Sequence, residues 1–114
     1  MPNRLNHQPG AGVNAVGFTA ATSAQSGTEY DVGSVLSDWS LQVVAPSTDV
    51  IVTLDLSLQS SSGATFFAAL TWATTGGQAD GDIVSLADMP GRQVRATLSA
   101  GASSNAASAW IAGR

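Results

Sequence analysis

The 114-residue sequence predicts an all-β fold, and three observations carry that expectation. Segments of strand length are separated by turn signals at short intervals, the spacing of a β-sandwich or barrel. In one segment, 50–59, a large apolar residue recurs at every second position and the residues between are polar from Thr53 on, so one of its faces is buried and the other wet. No segment keeps helical spacing through three turns.

Residues 1–28 are small and polar, rich in Gly, Asn, Ser and Thr, and hold neither a period of 2 nor one of 3.6. They read as an extended N-terminal arm ahead of a β-sandwich domain spanning 29–114. Val13, Val16 and Phe18 interrupt this polarity, and a merely solvated tail has no use for them. The three are therefore assigned to docking on a partner.

The first strand of the domain is EYDVGSVL, 29–36, and the second is DWSLQVVA, 38–45, in which Trp39, Leu41 and Val43 alternate with Ser40, Gln42 and Val44. Pro46 lacks an N–H donor and stops the ladder. In the third strand Val50, Val52, Leu54, Leu56 and Leu58 share one face, and Ile51, Thr53, Asp55, Ser57 and Gln59 the other. SSSG supplies a turn, and ATFFAALTW returns as the second arm of a hairpin. After the glycine-rich TTGGQADGD come a short strand DIVSL, a turn at Asp88, Met89, Pro90 and Gly91, and the alternating RQVRATL. ASAWIAG is the closing strand. The core is expected to draw on Val52, Leu54, Leu56, Phe67, Val94 and Leu98.

Charge is scarce. Four Lys and Arg against eight Asp and Glu leave a net charge of −4, and Arg4, Arg92, Arg95 and Arg114 form no cluster in sequence. Nucleic acid, whose phosphates demand clustered cations, is thus not an expected partner. So few charges suit a surface largely covered by neighbours, which argues for a homo-oligomer or a larger assembly. Without cysteine there is no disulfide, thiolate metal site or thiol nucleophile. The longest apolar run, FFAAL, falls far short of the roughly 20 residues of a bilayer span. No membrane partner is therefore expected, and because the start shows no apolar stretch of a signal peptide the protein is expected to be made and kept in a cytoplasm.

Catalytic groups are equally sparse. His7 is the single imidazole and sits in the arm beside Pro9 and Gly10, where a solvated role is expected. With one His and no Lys, the many serines lack the base that would activate one of them. The chain is not expected to be an enzyme, nor to carry a cofactor. Asp80 and Asp82, separated by one Gly, are the weak candidates for a cation site, but the further ligands of a calcium loop are missing. Trp39, Trp72 and Trp110 fall inside strands, which points to core or subunit interface before a sugar-stacking platform.

Two stretches, SLQSSSGATFFAAL at 57–70 and MPGRQVRATLSA at 89–100, together resemble a hairpin-and-strand pair of discoidin-like, galactose-binding-like jelly rolls. The same pair resembles small structural proteins of tailed bacteriophages of actinobacteria, as do SLQVVA, GDIVS and AWIAG. The resemblance covers about the last two thirds of the chain and departs from the pattern at Phe66, where Trp is usual, and at Gln93, where an aromatic is usual. It implies a jelly-roll-type β-sandwich of about seven or eight strands with the arm in front. It further implies a virion structural protein: a decoration or cement protein on the capsid surface, made in the host cytoplasm. The expected partners are the major capsid protein and further copies of the chain, a trimer included. A tail or tail-tip component and a module binding host-surface glycan are the alternatives.

Overall fold

The computed structural model describes residues 3–4, 12–45, 50–60, 63–73, 80–100 and 106–114, with the backbone alone at 3, 4, 80 and 100. The described residues are all strand, turn and coil, with no helix. Their strands are β1 (Asn3–Arg4), β2 (Val13–Ala21), β3 (Gln25–Ser26), β4 (Tyr30–Leu36) and β5 (Trp39–Ala45). There follow β6 (Ile51–Ser57), β7 (Phe67–Ala73), β8 (Asp80–Leu86), β9 (Gly91–Ala100) and β10 (Ala107–Gly113). β1 and β3 are two-residue pairings on the first sheet, beside β4 and β9 respectively; the other strands carry the architecture.

Those longer strands lie in two sheets, β4-β9-β6-β7 and β2-β10-β5-β8. Their pairs are nested: β6 with β7, β5 with β8 around it, β4 with β9 around that, and β2 with β10 outermost. One long hairpin folded over on itself in this way is a jelly roll, closed by the β6–β9 and β5–β10 ladders. The stretch VIVTLDLSLQSSSGATFFAALTW is the innermost hairpin.

Alternation in sequence becomes two apolar inner faces. Trp39, Leu41, Val43 and Ala45 of β5 are buried and meet Val52, Leu54 and Leu56 of β6 and Val94, Ala96 and Leu98 of β9 in one core cluster. Trp72 joins it from β7, opposite Val52. Trp39 keeps its indole N–H satisfied by donating to the Met89 carbonyl at 3.0 Å, which ties β5 to the turn before β9.

Two expectations need correction. The arm is not an arm over 13–21: that stretch is the edge strand of the second sheet, with Val13 and Phe18 in the core and only Val16 pointing outward. Its buried positions escape a period of two because β2 carries extra residues against β10. Ala107 pairs with Ala21 and Ala109 with Phe18, then Trp110 with Val16, so β2 spends one more residue than β10 at each step. Ala20, in the first of these bulges, adopts φ +52° and its N–H donates to Ser108 Oγ at 2.9 Å. Gly17 stands in the second, where an added Cβ would come within 2.8 Å of Ala96 Cβ in the opposite sheet.

The second correction is Phe67, expected in the core and 71% exposed. It pairs with Leu56, whose side chain is buried, yet it lies at the start of β7, where the sandwich opens. Leu58, grouped with the inward residues of its strand, likewise stands past the end of β6 and is exposed.

Candidate interaction surfaces

On the outer face of the first sheet the segment between β6 and β7 covers a buried ion pair. Asp55 and Arg95 are cross-strand partners there, and the buried Asp55 carboxylate accepts hydrogen bonds from Arg95 Nε at 3.0 Å, Thr97 Oγ1 at 2.6 Å and Thr53 Oγ1 at 2.8 Å. Arg95 also reaches Glu29, Nη1 to Oε2 at 3.3 Å, and its guanidinium carbon lies 4.4 Å from the centre of the Phe66 ring. The segment between β6 and β7 is held down by Gln93 Nε2, which donates to the Gln59 carbonyl at 2.7 Å, and by Gln59 Oε1, which accepts from the Thr65 N–H. Phe66, the departure from the expected Trp, is thus the lid on an ion pair. A charge-assisted network with this many internal partners organises the sheet and leaves little for a ligand.

The outer face of the second sheet has no such cover among the described residues. Val16, Trp110, Gln42 and Ile83 form one cross-strand row over all four strands. Val16 and Ile83 are exposed, and Trp110 is 37% exposed. Two residues along each strand lies a second row, Asn14, Ala112, Ser40 and Ser85, made only of small side chains. This second row lines a hollow of about 520 Å³, with Asp38 and Arg114 at its end. Neither row contains a charged residue. Of the three tryptophans, Trp39 and Trp72 went to the core and Trp110 to this face.

A third surface is an apolar opening of about 720 Å³ at the end of the β6–β7 hairpin. Leu56 forms its floor, and Leu58, Phe67, Met89 and Pro90 its rim, with no contribution from the second sheet. Exposed Leu58, Phe67 and Met89 make it a contiguous apolar patch, the kind of surface that marks an interaction site.

The other residues singled out in the sequence are dispersed. Val13 and Phe18 serve the core, as described, and Val16 belongs to the exposed row. Asp82 is exposed at the edge of the second sheet, and its Oδ1 accepts from the N–H of the next residue, Ile83, at 2.7 Å within β8. Asp80 heads the same strand. Among the described residues no group of three His, Cys, Asp or Glu is placed to hold a metal ion. His7 lies outside the described residues. Sequence reasoning missed the exposed row because its members sit in four separate strands and meet only through register.

No protein-family model matches the chain, and no curated protein matches it. Among solved structures, the crystal structure of the SPBc2 prophage-derived protein YomS is similar to it. The TM-score is 0.64 at 12% identity, over 90% of this chain and 92% of that one. At that identity the likeness shows a shared fold.

Proposed function

We propose that the chain is a structural protein of a tailed-phage virion, a decoration protein that binds the major capsid protein and stabilises the shell from its outer surface. The observation that carries this reading is the apolar opening rimmed by Leu58, Phe67 and Met89 at one end of the sandwich. An aromatic side chain left 71% in water at a stable strand end has its natural use against a partner. A fold shared with a prophage-derived protein supports the phage setting, as does the resemblance of 57–70 and 89–100 to phage structural proteins. The chain is made in the host cytoplasm, associates with copies of itself, and contributes surfaces and no chemistry.

The test is binding of the purified chain to expanded capsids assembled without it. Full-length protein should cosediment with the shell, and a Leu58→Ser, Phe67→Ser double variant should bind at least about tenfold more weakly, a loss of about 1.4 kcal/mol, while melting as the parent does. Equal occupancy by both proteins would refute shell docking through this opening. Copy number in virions separates the alternative: a number that follows the shell lattice marks decoration, and a handful marks the tail tip.

A further inference from the structure

We infer that the uncharged outer face of the second sheet is a two-fold interface between copies of this chain, with the Val16–Trp110–Gln42–Ile83 row of one copy seated in the small-residue row of the other. The inference deepens the self-association in the reading above, and it stands on this face alone.

The two rows are matched in the way an in-plane two-fold axis requires. Along β10 the tall residue is Trp110 and the short one Ala112; along β2 they are Val16 and Asn14, and along β8 Ile83 and Ser85. On β5 the corresponding pair is Gln42 and Ser40. Between them runs a row of residues whose register is continuous across the sheet: Ala15, Ile111, Leu41 and Val84. An axis lying in the interface over that middle row, at right angles to the strands, exchanges the tall row of one copy with the short row of the other. Trp110 then covers Ala112 of the second copy, Val16 covers Asn14, Gln42 covers Ser40 and Ile83 covers Ser85. Each contact occurs twice, which is the definition of an isologous interface. The hollow of about 520 Å³ begins at the short row and runs out past it to Asp38 and Arg114, so the tall row enters it from its near side.

Electrostatics does not oppose a second copy on this face. A chain of net charge −4 repels its own kind, so copies can meet closely only where the surface is free of charge. The described ion pairs lie elsewhere: Arg95 with Asp55 and Glu29, and Arg92 with Asp31, on the first sheet, and Arg114 with Asp38 at the rim of the hollow. Depletion of charge at the centre with polar groups at the rim is the composition of an interface. Four strands about 4.8 Å apart and about 23 Å long present roughly 450 Å² of flat face, or about 900 Å² for the pair. That lies just below the usual range of stable interfaces, so the dimer should dissociate on dilution when free in solution. A sugar stacked on Trp110 is the competing occupant: Val16 and the Gln42 amide stand beside the ring, and the polar Asn14, Ser40 and Ser85 lie one row away along the strands.

The experiment is sedimentation equilibrium of the full chain over a range of concentrations, with tryptophan emission followed in parallel. Trp39 and Trp72 are buried in each copy, so a shift with concentration reports Trp110. The expected result is a monomer–dimer equilibrium with a blue shift on association. Trp110→Glu should yield a monomer, and so should Ala112→Arg, which blocks the hollow without touching the tall row; unchanged circular dichroism establishes that both variants fold. A monomer at all concentrations, or a dimer that survives both substitutions, would overturn the interface. So would a monomer whose glycan-array signal is abolished by Trp110→Glu, which assigns the face to a sugar. None of these results bears on capsid binding through Phe67, which the preceding double variant tests separately.

Discussion

Asp55 and Arg95 face each other across the β6–β9 ladder with Nε and Oδ2 3.0 Å apart, on the outer side of the sheet, under the ring of Phe66. The acid is the more deeply buried of the two and gathers the bonds of both neighbouring threonines as well.

Removing Asp55 leaves Arg95 facing Glu29 alone and two threonine hydroxyls without their acceptor. Asp55→Ala is expected to cost about 2–4 kcal/mol in urea unfolding, as breaking one side of a half-buried ion pair does. A change within about 0.5 kcal/mol would mean that the network is ornamental to stability.

Leu54 and Phe67 belong to the same hairpin and should behave oppositely. Leu54 is fully buried at the centre of β6, so Leu54→Ala is expected to lose about 2–5 kcal/mol. Phe67→Ala, at an exposed strand end, should stay within about 0.5 kcal/mol of the parent in the same measurement. A large loss at Phe67 would place its ring in the core after all.

Gly27 lies where the sheets converge. Its N–H donates to the Ala96 carbonyl at 2.7 Å, and a Cβ there would fall 2.2 Å from the Gly17 oxygen and 2.7 Å from that of Ala96. Both obstacles are backbone, so Gly27→Ala is expected to cost more than about 2 kcal/mol. Gly63, at φ +77° with nothing within 4 Å of an added Cβ, provides the control. There the same substitution should cost about 1 kcal/mol, the conformational penalty alone.

Truncation distinguishes an arm from a strand. Deleting residues 1–26 removes all of β2, with Val13, Phe18 and Ala21 of the core, and the product is expected to lose its near-ultraviolet circular dichroism. Deleting residues 1–11 should preserve it. A native spectrum from the longer deletion would return 13–21 to the status of an appendage.

The strands that could be read in the sequence are those whose alternation is undisturbed. β5 and β6 each bury one face against a neighbouring sheet, and Leu41, Val43, Val52 and Leu54 announce it by spacing alone. β2 was hidden by physics that a periodicity cannot show: two bulges place Gly17 and Phe18 side by side in the interior, and small residues occupy places where the sheets come close. Phe67 was expected in the core and pairs with buried Leu56, but burial also needs the opposite sheet to extend that far, and it does not. The face around Trp110 is a product of register among four strands, which no single stretch of sequence contains.

The nested strand order has a consequence for the order of events on the ribosome. Val13 finds its ladder partner in Gly113, so the first long strand to be synthesised is the last to be paired, and it must stay unattached until β10 has emerged. Pairings this distant in sequence form slowly, and a strand left waiting in water is exposed to capture by other nascent chains. β2 is written VNAVGFTAA, with no run of large apolar residues for such capture to act on. The composition that disguises it as a tail is the composition that lets it wait.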